Sequence, residues 1–145
     1  MYGAVSPEDG ELFSLVMPYA NTECMNVFLD ELSKAYPDDY ILLLLDNAAW
    51  HRSSAMVVPD RIELFPLLPY TPELNPIEMI WDEVREKGFR NEIFKNLEAV
   101  IDRLCLTVKE LAEDVQRVAS ITHRRRLIDA LSFLISITMF LKDCA

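Results

Sequence analysis

The sequence predicts an α/β fold, a mixed sheet with flanking helices, and three observations carry that prediction. Two short apolar runs, residues 2–5 and 12–17, flank the turn-rich Ser6-Pro7-Glu8-Asp9-Gly10, the pattern of a β-hairpin. Tyr40 to Leu45 is a continuous apolar run without alternation, which suits a strand covered on both faces, as in the parallel part of an α/β sheet. Between and after these runs lie stretches whose apolar residues recur at helical spacing.

Each element follows in order. Asn21 or Thr22 can cap a helix that runs to about Ala35, with Met25, Phe28, Leu29 and Leu32 forming an i, i+3, i+4, i+7 stripe. Pro37-Asp38-Asp39 ends it. The strand Tyr40–Leu45 comes next, and a second strand, Ile62–Leu67, follows one crossover later. Asn75 is a good N-cap, Pro76 fits the first helical position and Glu78 stands at the third, the pattern of a capping box. Ile77, Ile80, Trp81 and Val84 then face inward, Glu78, Asp82 and Arg85 share another face, and Gly88 is a stop signal. A further helix is expected from about Asn96 to Ala112, its inner face formed by Leu97, Ile101, Leu104, Val108 and Leu111. A last one is expected from Arg125 to Phe140. Residues 1–115 read as the main domain, and residues 116–145 as a helical tail packed on it.

Composition narrows the functional classes. The chain has 145 residues, one domain's worth, and 51% are hydrophobic, enough for a single core. It carries 14 Lys and Arg against 24 Asp and Glu, a net charge of −10. DNA affinity rests largely on basic groups that neutralise phosphates, so this balance gives no vote for a nucleic-acid surface in the front half. Through His51 there are nine carboxylates against the single base Lys34. From Val115 onward the balance is +3, with Arg124, Arg125 and Arg126 in a row. Cys24, Cys105 and Cys144 are far apart and lack metal-ligand spacing, which predicts reduced thiols and a cytoplasmic protein. No signal peptide is visible. The apolar run Leu131–Leu141 is too short for a membrane span, which needs about 20 residues.

One pair of acids stands out. Asp46 follows the buried strand directly, and in open α/β sheets functional groups gather at the carboxyl ends of strands. Glu78 is brought forward by the next strand, a loop and a helix start. Two carboxylates converging from such elements can ligate a hard cation, Mg2+ or Mn2+, which prefers oxygen ligands. Two such ions about 3.5–4 Å apart serve in-line phosphodiester chemistry by activating the attacking oxygen and stabilising the leaving one.

Asp46-Asn47-Ala48 with His51, followed by Leu68-Pro69-Tyr70-Thr71-Pro72-Glu73-Leu74-Asn75-Pro76-Ile77-Glu78 and Trp81, resembles the DDE endonuclease domain of Tc/mariner transposases, in the bacterial insertion-sequence branch. The resemblance covers roughly Tyr2 to Leu131. It implies a ribonuclease H-like sheet and metal-dependent strand cleavage and joining at transposon ends, with Asp46 as the second catalytic carboxylate and Glu78 as the third. Asn47, His51 and Asn75 become supporting residues, and Arg52, Arg85, Lys87, Arg124, Arg125 and Arg126 become candidate DNA contacts.

The sequence departs from that pattern in two places. The family's first aspartate stands on the central strand ahead of the hairpin. Nothing before Tyr2 supplies it here, so the expected fold is truncated at the amino terminus and inactive alone. The 31 residues between Asp46 and Glu78 are also slightly fewer than usual, as a shorter surface loop between Arg52 and Asp60 would make them. The implied partners are DNA, a separately supplied amino-terminal part or an intact transposase subunit, and a second copy of the chain. Two functions stay open: a transposase fragment that needs completing, and a degenerate remnant that only pairs with intact subunits. Glu78 also has a purely structural alternative, because a glutamate at that helix position is an ordinary capping device.

Overall fold

A computed structural model describes residues 1–45, 54–67 and 75–123, and in these the chain is a mixed α/β protein. Strand β1 (Tyr2–Val5) pairs antiparallel with β2 (Leu12–Leu15), joined by the expected turn. Ser6 Oγ donates to Asp9 across that turn at 2.8 Å, and Gly10 takes a positive φ of 75° that favours glycine. Helix α1 (Thr22–Ala35) follows. The Asn21 side chain accepts from the Cys24 N–H, as an N-cap should. The Tyr2 hydroxyl donates to the Asn21 carbonyl at 3.1 Å and accepts from its N–H at 3.0 Å, so the helix start is fastened to β1.

Strand β3 (Ile41–Leu45) pairs in parallel with β4 (Ile62–Pro66), in register from Ile41 opposite Ile62 to Leu45 opposite Pro66. The return segment is tied to α1 by Asn26, whose side chain donates to the Ala55 carbonyl and accepts from the Val57 N–H. Three helices complete the described chain: α2 (Ile77–Gly88), α3 (Leu97–Glu113) and α4 (Val115–Thr122).

The period-two alternation of the strands splits the core into two clusters. Tyr2, Ala4, Phe13 and Leu15 turn to one side, as do Ile41, Leu43, Ile62 and Leu64, and all meet the stripe Met25, Phe28, Leu29, Leu32 of α1. Val5 and Leu12 turn to the other side, against Ile80, Val84, Val108, Leu111 and Val118 of α2, α3 and α4. The two-stranded sheets thus share one helical floor, while α2, α3 and α4 cover the opposite face of the hairpin. Glu83 and Arg117 form an ion pair that links α2 to α4.

Three expectations change. Residues 41–44 of β3 are half-buried and only Leu45 is buried, so the strand is not covered on both faces among the described residues. In α3 the inward face begins later than its periodicity suggests. Leu97 is 73% exposed and Ile101 is exposed too, because the first turns of this helix project past the core that Val108 and Leu111 enter. Helix α4 was not anticipated. Asp114 caps it by accepting from the Arg117 N–H, and Val118 is fully buried. The helix expected from Arg125 to Phe140 lies outside the described residues. No helix among them is long and apolar enough to cross a membrane.

Candidate active site

The site is built where β3 ends and α2 begins. Leu45, the last residue of β3, is buried, and its carbonyl accepts from the Leu67 N–H at 2.8 Å, which clamps the ends of β3 and β4 together. Asp46 follows directly in sequence. Asp46 itself lies outside the described residues, as do Asn47, His51, Arg52, Arg124, Arg125 and Arg126.

Glu78 and Asn75 are described. The opening turn of α2 is tight: the Glu78 N–H donates to the Asn75 carbonyl and the Met79 N–H to the Pro76 carbonyl, each at 3.2 Å. Asn75 Oδ1 accepts from the Ile77 N–H at 3.4 Å. Pro76, not Asn75, occupies the N-cap position, and no side-chain cap bond is made there. The reciprocal capping box is therefore not formed. The exposed Glu78 carboxylate makes no hydrogen bond or ion pair with any described residue, and it faces a cavity of about 690 Å³ that β3 also borders along its whole length, Leu45 included. The helix beneath it is held by Ile80 and Val84 in the core. Its entry is fixed by Trp81, which crosses Gly3 so closely that a Cβ there would stand 2.5 Å from the indole.

These features fit an oxygen ligand for a hard cation: a carboxylate with no partner among the described residues, on a helix start that borders the same cavity as β3. Glu78 alone is not a metal site, and among the described residues no group of three or more His, Cys, Asp or Glu stands together. The other acids of the cavity are elsewhere. Asp9, Glu11 and Asp39 border it where the hairpin turn meets the residues ahead of β3, the end opposite Leu45. Tyr36 lies there as well. Burial pushes its phenol pKa up, and the neighbouring Glu11 carboxylate pushes it further.

The described candidate DNA contacts are exposed on α2. Arg85 stands about 10 Å along the helix from Glu78 on the same face and pairs with Asp82, while Lys87 is half a turn round. Sequence reasoning did not single out Gly3, whose signal was a glycine inside a strand pattern, a mark of close approach by another group.

A model of the DDE superfamily endonuclease family matches residues 1–101, a segment that contains β1 through the start of α3 and both Asp46 and Glu78. The chain belongs to that family. The uncharacterized protein y4pE/y4sA of Sinorhizobium fredii (strain NBRC 101917 / NGR234) is similar to it, 36% identical over 122 residues that cover 83% of this chain and 90% of that protein. No solved structure matches the chain.

Proposed function

We propose that the chain is the rear part of the catalytic domain of a Tc/mariner-type transposase, in the bacterial insertion-sequence branch. In this reading it has a ribonuclease H-like sheet lacking its central first strand, spans residues 1–115 with a helical tail beyond, and works on transposon-end DNA in the cytoplasm. The observation that carries it is the Glu78 carboxylate, without a partner among the described residues, at the cavity that the end of β3 borders one residue before Asp46. Asp46 and Glu78 would hold Mg2+ or Mn2+. Bound there, such ions supply activation of the attacking oxygen and charge stabilisation at the leaving oxygen of a phosphodiester.

The chain's own residues do the rest. The clamp between β3 and β4 and the packed base of α2 hold the two backbones from which the carboxylates extend. Asn75 fixes the turn that aims Glu78, and Asn47 and His51 organise the segment after Asp46. Arg52, Arg85 and Lys87 are the contacts for DNA near the site, with Arg124, Arg125 and Arg126 as a second patch. Among the described residues neither Asp9 nor Glu11 stands in for the remaining carboxylate, since Glu11 meets Tyr36 ahead of β3, away from Leu45. In this reading that carboxylate comes from a front part of the domain or from an intact subunit.

A second reading is favoured by charge. The chain is acidic overall, and the Asp, Glu, Lys and Arg side chains that border the cavity among the described residues are all acids, Asp9, Glu11, Asp39 and Glu78. Such a surface suits a protein partner better than DNA, as a non-catalytic remnant that pairs with transposase subunits would require.

Cleavage of labelled transposon-end DNA with magnesium or manganese separates the two. We expect no cutting by the 145 residues alone, and metal-dependent cutting once a front fragment bearing the first aspartate is added. Robust cutting by the isolated chain would show that the catalytic set is misassigned. A complex that forms with the front fragment yet never cuts would favour the remnant.

A further inference from the structure

We propose that Gly3 and Trp81 are a positioning pair: the bare strand backbone at Gly3 seats the Trp81 ring, and that seat sets where the first turn of α2 holds Glu78. Alternation along β1 places the seat. Tyr2 and Ala4 turn toward α1, whereas Val5 turns toward α2 with Ile77 and Trp81. Gly3 shares the side of Val5. A Cβ on Gly3 would stand 2.5 Å from Cη2 and 3.0 Å from Cζ2 of Trp81, and 3.2 Å from Cδ1 of Ile77. Ile77 and Trp81 lie about one helical turn apart on the same face. Both rest on a strand position that has no side chain, and Glu78 stands between them in sequence.

The opening turn of α2 is otherwise loosely held among the described residues. Its N-cap makes no side-chain bond, and Asn75 Oδ1 accepts from the Ile77 N–H at a long 3.4 Å. Ile80 and Val84 secure the turns that follow in the core. The height of the first turn above the strands is thus left to Ile77 and Trp81 on β1. A chain of contacts carries that height to the end of β3. The Tyr2 hydroxyl fastens β1 to the start of α1, and Ile41 and Leu43 of β3 pack with Tyr2 and Ala4 on α1. Glu78 is therefore spaced from Leu45 through β1 and α1 in turn. One added methyl between β1 and α2 would lift Glu78 and leave Leu45 in place. A shift near 1 Å can lower a rate about 10²-fold. A ring that only fills space predicts something else: lost stability, with the rate per folded molecule unchanged.

This inference rests on the completed-endonuclease reading for what Glu78 does, so its first readout uses neither DNA nor metal. Amide exchange in the full chain is followed by NMR. The Glu78 and Met79 N–H groups close the first turn on Asn75 and Pro76. We expect Gly3→Ala to hasten their exchange at least about tenfold relative to that of Val108 in α3. Trp81→Leu removes the ring that meets the added methyl. It should loosen the turn by itself, yet the double variant should exchange more slowly than Gly3→Ala alone. Should Gly3→Ala fail to fold, Trp81→Leu carries the test.

Joined with the front fragment, Gly3→Ala should cleave at least about 10²-fold more slowly per folded molecule and need more manganese for its half-maximal rate. Val118→Ala weakens the same core cluster away from the seat, and should lose cleavage only in proportion to folded protein. Unchanged exchange at Glu78 and Met79 in both single variants would show a ring that tilts aside without moving the turn, and overturns the proposal. So does a double variant that exchanges as fast as Gly3→Ala alone, or a cleavage loss no greater than that of Val118→Ala at equal folded fraction. Exchange that responds as expected, in a chain whose unmodified form never cuts when completed, would sink the endonuclease reading and keep the seat.

Discussion

Gly10→Ala is expected to unfold the chain or to lower its urea midpoint drastically. Gly10 holds a φ of 75° in the turn between β1 and β2, where its N–H donates to the Ser6 carbonyl at 2.8 Å. A side chain in that left-handed region costs roughly 1–2 kcal/mol. The larger cost is space. A Cβ on Gly10 would stand 2.0 Å from the Val115 carbonyl oxygen and 2.9 Å from the Ala119 N, both backbone atoms of α4. Neither can rotate away. The hairpin must therefore separate from α4, which strips cover from Val118 and Leu12. Since domains are stable by only about 5–15 kcal/mol, a loss above about 4 kcal/mol removes much of the margin. Gly10→Asn distinguishes the two causes. Asparagine tolerates positive φ but brings the same Cβ, so it should fail nearly as badly. Rescue by asparagine would show that conformation, not close approach, governs this turn.

Glu78→Ala is expected to abolish cleavage by the reconstituted endonuclease while leaving the fold nearly intact. The side chain is exposed, meets no described partner and sits on the first turn of α2. Its contribution to stability is that of an acid near a helix amino terminus, about 0.3–1 kcal/mol. A ligand for the metal that stabilises the transition state is a different matter. We expect the single-turnover rate to fall by at least about 10³, near 4 kcal/mol of barrier. Asp46→Ala should match it, and the double variant should be no worse than either, because the two would act as one unit. A rate that falls only in proportion to lost folded protein would reduce Glu78 to a structural acid.

The elements that proved legible were those in which local pattern and tertiary role agree. Met25, Phe28, Leu29 and Leu32 recur at helical spacing and are buried together, because α1 has one partner surface and presents one face to it. The apolar run before Asp46 and the run at Ile62 became a parallel pair for the same reason. Misreadings arose where burial depends on distant chain. Leu97 and Ile101 keep the helical period of α3 but lie beyond the end of the core. Apolarity in Ile41–Leu44 promised cover on both faces, yet among the described residues only Ile41 and Leu43 of these join a core cluster, and apolarity alone does not report what packs on the other face. Helix α4 is eight residues long and owes its place to Val118 and the Asp114 cap, signals too brief to stand out in sequence.

The candidate site was half legible. Glu78 stood out from its spacing and motif, but Asn75-Pro76-Ile77-Glu78 also spells a capping box. The fold bears on the cap alone: the first turn is closed by backbone carbonyls of Asn75 and Pro76, and the carboxylate meets no described partner. The close approaches at Gly3 and Gly10 could not be read in full, because what forbids a side chain there is Trp81 in one case and the α4 backbone in the other, far along the chain.

Anomalous diffraction from manganese in crystals of the chain joined with its front fragment puts the shared-metal assignment to the most direct test. A peak within about 2.0–2.3 Å of carboxylate oxygens from both Asp46 and Glu78 is the expected result. Carboxylates standing well over about 10 Å apart, too far for any two-metal bridge, would contradict it.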